Sequence, residues 1–232
     1  MTATKPLVTD GVIAVIIPAF NPGIELLQIC MALLKEKFSI FLVNDGSADT
    51  AIFNRLSKLP ITVVHHAVNL GQGAALETGI TKALEQGSRY FVTFDADGQH
   101  PVEAVADLVN TLVKQDVDIV FGSRFLAREG RASLPFAKRV TLKIARFFDG
   151  LLTGIWLTDS HNGLRALNRR AAQALHFTEN RMAHATEILW LTRRNRWRYH
   201  ECAVTVSYGK RAQHPVKSIE IAIDLILRKI IS

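Results

Sequence analysis

The stretch Tyr90-Phe-Val-Thr-Phe-Asp-Ala-Asp-Gly-Gln-His-Pro101 decides how this chain reads. It begins as a run of β-forming residues and stops in two aspartates one residue apart, Asp95 and Asp97. A buried strand that ends this way sets two carboxylates on the lip of a sheet. Open α/β sheets take their ligands at that edge, beyond the carboxyl ends of the strands. Hard oxygen donors placed there suit Mg2+ or Mn2+, ions that keep waters and are completed by substrate phosphates. The same residues also make a capped turn, because Asp97-Gly98 is a good turn pair and Pro101 a good first helical residue. Spacing alone leaves both readings open.

Working outward, the first half alternates strands and helices. Val12–Pro18 is a continuous apolar run, as expected of a strand covered on both faces of a parallel sheet, and a helix follows over 24–35. Ser39–Val43 repeats the pattern, followed by a turn and a helix through Leu56; Ile61–His65 is a third strand. Asn69-Leu-Gly-Gln-Gly73 opens a helix through Ala83, Pro101–Lys114 reads as a helix, and Val117–Phe121 as a strand. This rhythm predicts an α/β fold with a doubly wound, Rossmann-like, mainly parallel sheet. After Gly122 the rhythm changes. Helices are expected over 134–152, 169–175 and 186–194, strands over 164–167 and 199–206, and an amphipathic helix over 216–230.

The 232 residues, 48% of them hydrophobic, supply one substantial core, and no linker-like tract or internal repeat divides them. The N-terminal residues lack the layout of a signal peptide, and no apolar run reaches spanning length. Cys30 and Cys202 have no partners at metal-ligand spacing, so they read as reduced thiols of a cytoplasmic protein. The net charge of +7 is uneven: Arg124–Arg146 and Arg193–Lys217 carry the excess. Nucleic-acid-binding signatures are absent, so the basic surface points to anionic lipid or phosphorylated ligands.

Three further strands of the first half end in polar or glycine-rich turns: Pro18-Ala19-Phe20-Asn21, Asp45-Gly46-Ser47 and Asn69-Leu70-Gly71-Gln72-Gly73. With Asp95 and Asp97 they form four polar lips on one sheet edge. Glycines at Gly71 and Gly73 let backbone N–H groups approach a phosphate or ribose, and Asp45, an acceptor, suits a base N–H or a ribose hydroxyl.

Val15-Ile-Ile-Pro-Ala-Phe-Asn21, Val43-Asn-Asp-Gly-Ser-Ala-Asp49, Asn69-Leu-Gly-Gln-Gly73, Phe94-Asp-Ala-Asp-Gly-Gln-His-Pro101, Gly122-Ser-Arg124 and Asn162-Gly-Leu-Arg165 stand in one order. With the helix that carries Glu187, this set resembles the family 2 glycosyltransferases of the GT-A fold over about residues 12–220. Within that family it is most similar to the dolichyl- and polyprenyl-phosphate mannosyltransferase-like branch. The resemblance implies one GT-A domain, with residues 12–122 as the nucleotide-sugar half and 123–232 as the acceptor half. It implies that Pro18, Ala19, Asn21, Asp45, Gly71, Gly73, Asp95 and Ala96 line the nucleotide, with Asp45 at the base. Asp95, Asp97 and Gln99 then hold Mg2+ or Mn2+ on the diphosphate, and Asp97 belongs with the catalytic residues. Four places differ from the usual pattern: Pro22 follows Asn21 where glutamate is common, Asn44 replaces an aspartate, Gln72 stands where lysine is frequent, and Ala212-Gln-His-Pro-Val216 interrupts the usual Arg…Lys spacing.

Two acceptors are compatible with the residues. A polyprenyl phosphate is already an anion near neutral pH, the second phosphate pKa being about 6. It needs cations to align it, for which Arg124, Arg211 and Lys217 are the candidates. A glycan hydroxyl instead needs a carboxylate base; Glu187 is the first candidate and Asp159 the second. Arg165 reads either as a site residue or as a structural ion-pair partner. The helix expected over 134–152 mixes cations with large apolar side chains, a pattern suited to the cytoplasmic face of an anionic membrane. Packing on the domain or a homodimer contact explains the same pattern in the C-terminal helix. A nucleotidyltransferase fits less well, because Pro18-Ala-Phe-Asn21 lacks a glycine-rich, basic loop.

Overall fold

The structure, a computed structural model, describes residues 13–126, 146–177 and 184–206. The chain runs β1 (Ile13–Ala19), α1 (Glu25–Lys35), β2 (Ser39–Asn44), α2 (Ala51–Leu56), β3 (Ile61–His65), α3 (Gln72–Glu85), β4 (Tyr90–Thr93), α4 (Glu103–Lys114) and β5 (Ile119–Ser123). Next come a helix α5 over residues 146–153, β6 (Arg165–Asn168), α6 (Arg169–Gln173), α7 (His184–Arg194) and β7 (Tyr199–Ala203). Of the helix expected over 134–152, residues 134–145 lie outside the described residues. So do the expected helix 216–230 and with it Arg211 and Lys217.

One seven-stranded sheet carries the fold in the order β3-β2-β1-β4-β6-β5-β7. β1, β2, β3 and β4 are parallel, which requires crossover helices, and α1, α2 and α3 supply them. β1 is buried almost throughout, and its side chains serve the two faces in turn. Val15 and Ile17 meet Leu26, Ile29 and Leu33 of α1 and the α4 residues Val105 and Leu108. Ala14 and Ile16 meet Leu76, Ile80 and Ala83 of α3, in a second core that also takes Ile188 and Leu189 of α7. Gly79 lets α3 lie this close: a Cβ there would sit 2.5 Å from the Ile16 Cγ2 and 3.2 Å from the Val43 Cγ2.

The expected parallel sheet is altered at one place. β6 enters antiparallel between β4 and β5, with Arg165 opposite Thr93 on one side and Phe121 on the other. The strand order reverses beside β1, which pairs with β2 on one side and β4 on the other: β2 and β3 lie to one side of it, and β4 with the later strands to the other. Such a switch point opens a crevice at the carboxyl ends of the strands. β1 and β4 are the strands that flank it.

Candidate active site

The crevice is lined by the turns that follow β1, β2, β3 and β4. Pro18 and Ala19 close β1, paired with Val43 and Asn44. Asn21, at φ 46°, accepts the Ala48 N–H on its Oδ1, while its own N–H donates to the Ser47 Oγ at 2.8 Å. Asn44, the departure from the usual aspartate, caps this turn. Its Oδ1 accepts the Ser47 N–H at 2.9 Å, and its Nδ2 meets the His65 Nδ1 at 3.0 Å.

Asp45 is buried and takes a structural task. Its carboxylate accepts the Leu70 N–H at 2.9 Å and the Gly71 N–H at 2.8 Å, and pairs with the His66 Nδ1 at 2.8 Å. The His66 Nε2 reaches the Thr78 Oγ1 at 2.9 Å. Asp45 thus pins the loop before α3, and the Gly71 N–H serves Asp45. Gly73 is buried in the first turn of α3. His66 had not been expected here; its place at the end of β3, on the same sheet edge as the other lips, was the available signal.

Asp95 leaves β4 with its side chain about a quarter exposed. Its Oδ1 accepts the Gln72 Nε2 at 3.1 Å, so Gln72 ties the start of α3 to the carboxylate. The His100 Nε2 lies 3.8 Å from its Oδ2. Ala96 is half-buried, and Asp97 is exposed at the rim, where its Oδ1 accepts the Gln99 N–H at 3.0 Å. Surrounding protein pushes the Asp97 carboxyl above its ordinary range by desolvation even though the residue stays accessible. The Gln99 N–H opposes the rise, and the nearby Asp95 charge adds to it. Two mutually repelling carboxylates on an open lip suit a divalent cation. Among the described residues no three His, Cys, Asp or Glu side chains form a closed cage. A divalent cation at this lip would take Asp95 and Asp97 as donors, with substrate phosphates and water completing its shell.

The second half supplies the wall behind Asp95. The Thr93 Oγ1 donates to the Gly163 carbonyl at 2.6 Å and accepts the Arg165 N–H at 3.2 Å. Gly163 itself lies flat against Asp95; a Cβ there would collide with both carboxylate oxygens. Gly163→Ala is therefore expected to displace Asp95. A displacement on the order of 1 Å lowers turnover about 100-fold, which a comparison of kcat with thermal unfolding would separate from loss of fold.

Arg124 and Asp159 meet here, a pairing that their separate readings did not anticipate. The Arg124 Nε donates to the Asp159 Oδ2 at 2.6 Å, its Nη2 to the Oδ1 at 2.7 Å, and its backbone N–H to the Oδ2 at 3.0 Å. Both residues are buried, so this is a forked, charge-assisted pair. It occupies the carboxylate offered as a second base. Glu201 of β7 orders the same loop by accepting the N–H groups of Thr158 and Asp159. Arg165 is also buried, and burial lowers its guanidinium to about 10, against the opposing pull of Asp95 and Asp159. It is still a cation at neutral pH. Glu187 stands half-buried in the first turn of α7, next to Thr186, whose Oγ1 donates to the Asp149 Oδ1 at 2.9 Å.

This geometry has known counterparts. The profile of the glycosyl transferase family 2 matches residues 14–175. An uncharacterized protein of Methanocaldococcus jannaschii is 30% identical over 225 residues, covering 94% of this chain and 92% of that protein. The UDP-N-acetylglucosamine–dolichyl-phosphate N-acetylglucosaminyltransferase of Methanococcus voltae is 27% identical over 238 residues, covering 94% and 95%. Polyprenol monophosphomannose synthase of Mycolicibacterium smegmatis is 28% identical over 169 residues, covering 69% and 63%. Among solved structures, glucosyl-3-phosphoglycerate synthase of Mycobacterium tuberculosis, bound to Mn2+, UDP and glucosyl-3-phosphoglycerate, shares the fold. Its TM-score is 0.63 at 18% identity, over 90% of this chain and 75% of that one. The aspartate lip at the switch point thus sits in a GT-A fold, and the chain belongs to glycosyl transferase family 2, as a glycosyltransferase.

Proposed function

We propose that the enzyme moves a sugar from a UDP- or GDP-sugar to a polyprenyl or dolichyl phosphate at an anionic membrane surface, with inversion at the anomeric carbon. Asp95, Asp97 and Gln99 would hold Mg2+ or Mn2+, which when bound offsets the charge of the departing nucleoside diphosphate. Pro18, Ala19 and Asn21 line the nucleotide side of the crevice, and Asp45 shapes it by fixing the loop at Gly71. The attacking phosphate oxygen forms the new bond to the anomeric carbon while the bond to the diphosphate breaks and the diphosphate keeps the electron pair. No base is needed for an acceptor that is already an anion. Cations have to align it, and Arg124, Arg211 and Lys217 are the candidates, Arg124 through whatever part of its charge the Asp159 pair leaves available.

The observation that carries the lipid reading is an apolar patch joined to the site. Phe147, Phe148, Leu151, Leu152 and Trp156 are all exposed, and the Phe147 ring packs on Phe148 and Trp156 at centroid distances of 5.9 and 6.0 Å. On the same helix the buried Asp149 accepts the Ser160 Oγ at 2.6 Å and the Thr186 Oγ1 at 2.9 Å. The patch is thereby tied to the loop that reaches Gly163 and Asp95. Among the described residues no helix is long and apolar enough to cross a bilayer. The curated relatives named for dolichyl and polyprenyl phosphate acceptors support the same acceptor class.

Calorimetry with UDP and GDP, each with and without Mn2+, tests the donor half of the proposal; transfer onto a short polyprenyl phosphate tests the acceptor half. Metal-dependent binding of one nucleotide is expected, and binding of neither defeats it. Flotation with vesicles containing anionic lipid tests the surface. Replacing Phe147 and Trp156 with Ser removes about 2 kcal/mol of apolar transfer, roughly a thirtyfold loss of partitioning, with nucleotide binding unchanged. The second reading, transfer to a glycan hydroxyl with Glu187 as base, draws on the position of Glu187 beside the Thr186–Asp149 bond. Glu187→Gln abolishes turnover under that reading and is tolerated with a phosphate acceptor.

A further inference from the structure

Arg165 is the largest fully buried side chain of the described residues, and it carries a charge. Its backbone lies between β4 and β5, and its N–H is fixed by the Thr93 Oγ1. Its Nε and Nη1 have no hydrogen-bond partner among the described residues, although both are shielded from solvent. A buried donor without a partner is costly, more so on a charged group. What compensates is Coulombic: the guanidinium feels Asp95 on the donor side and Asp159 on the acceptor side. Asp159 in turn is the forked partner of Arg124. Asp95, Arg165, Asp159 and Arg124 therefore form an alternating row of charges that crosses the wall between the two halves of the crevice.

We propose that Arg165 is a positioning residue whose charge is shared between Asp95 and Asp159, so that a divalent cation at Asp95 loosens the hold of Asp159 on Arg124 and readies Arg124 for an anionic acceptor. The inference rests on the donor and acceptor assignments above. A cation arriving at Asp95 offsets that carboxylate's attraction for Arg165. The guanidinium is then drawn toward Asp159, and Asp159 has less charge left for Arg124. Donor loading and acceptor affinity become coupled, and reciprocally so. Arg165, Asp159 and Arg124 are buried, so salt screens their part of the row little.

Calorimetry on the full chain tests this, with Mg2+ and UDP as one probe and geranyl phosphate, titrated with and without Mg2+–UDP, as the other. Arg165→Gln removes the cation that competes with the metal. Mg2+-dependent UDP binding is expected to tighten about fivefold, the low end of usual coupling strengths, and Mg2+–UDP no longer to improve geranyl phosphate binding. Asp159→Asn acts in reverse: Arg165 is left to Asp95 alone, and UDP binding weakens by a similar factor. A scaffolding role weakens UDP binding in both variants, and an idle residue changes it in neither; either result overturns the proposal. If circular dichroism shows that Arg165→Gln does not fold, Arg165→Lys, which keeps the charge, is expected to bind UDP as the wild type does. Asp159→Asn then decides alone, through the coupling: Mg2+–UDP is expected no longer to improve geranyl phosphate binding, and a retained improvement overturns the proposal. A wild type that binds no UDP with Mg2+ overturns the donor assignment and this inference together. A wild type that binds both probes while the variants fail to part overturns the shared charge alone.

Discussion

Asp97→Ala is expected to lower sugar transfer on the order of 1,000-fold, the upper range seen when one electrostatic contributor to a transition state is removed, and to abolish metal-dependent nucleotide binding. The reasoning starts from position. Asp97 is exposed at the tip of the lip, held only by its own turn through the Gln99 N–H, while Asp95 is tied back to Gln72. The two carboxylates repel each other and the surroundings disfavour the Asp97 charge. A group held ionised at some cost on an open edge gains most when a cation arrives. Its loss should spare the fold: unfolding temperature is expected to stay level or rise, since a disfavoured charge has gone. Single-turnover assays with and without added metal, alongside a melting curve, check both parts. Retained metal-dependent UDP binding in the variant would remove Asp97 from the site.

The largest stability effect is expected at Asp118, away from the crevice. Its buried carboxylate accepts the Arg170 Nε at 3.0 Å and Nη2 at 2.7 Å, the Asn168 Nδ2 at 3.0 Å and the Arg198 N–H at 2.8 Å. One side chain thus fastens β5, the end of β6, α6 and the approach to β7. Burial by itself pushes this carboxyl up. The bonds from Asn168, the Arg198 N–H and Arg170 outweigh it, and the net shift is downward. Asp118→Ala leaves those donors without an acceptor. Breaking a buried, hydrogen-bonded charge costs 3–5 kcal/mol; with the Arg170 side chain 65% exposed, the lower end, about 3 kcal/mol, applies. For a chain of this size that lowers Tm by about 10 °C. The pH dependence follows from the direction of the shift. A depressed folded-state carboxyl stabilises the protein above the unfolded value, about 3.9, and the benefit is lost as pH falls through the folded value. The stability gap between wild type and Asp118→Ala should hold constant from about pH 7 to pH 5 and narrow as the pH falls below about 4. Urea unfolding across that range measures it, and a gap that persists in acid would mean the loss is packing and not charge.

The aspartate lip was legible in the sequence because it is local. A buried run that ends in Asp95-Ala96-Asp97 places both carboxylates wherever β4 ends, whatever lies beside it. The first four strands were legible for a related reason: runs such as Ile13–Ala19 and Ser39–Asn44 are apolar on both faces, which only a covered parallel sheet satisfies. The helix ends drifted by one or two residues, as at α4, which begins at Glu103 and not at Pro101.

Partners distant along the chain were not legible. Arg124 read as an open cation and Asp159 as a spare base, yet the fold pairs them across 35 residues. Asp45 read as a base contact; the bonds its carboxylate also accepts from the Leu70 and Gly71 N–H groups, 25 and 26 residues on, did not show in the sequence. Arg165 was an open choice between site and scaffold, and only the antiparallel entry of β6 between β4 and β5 sets it behind Asp95. The physical reason is the same in each case. Periodicity and turn chemistry are fixed by neighbours a few residues apart. Which strand lies next to which, and so which buried charges must share one another, is decided by long-range hydrogen bonding and by the desolvation of those charges once the sheet has closed around them.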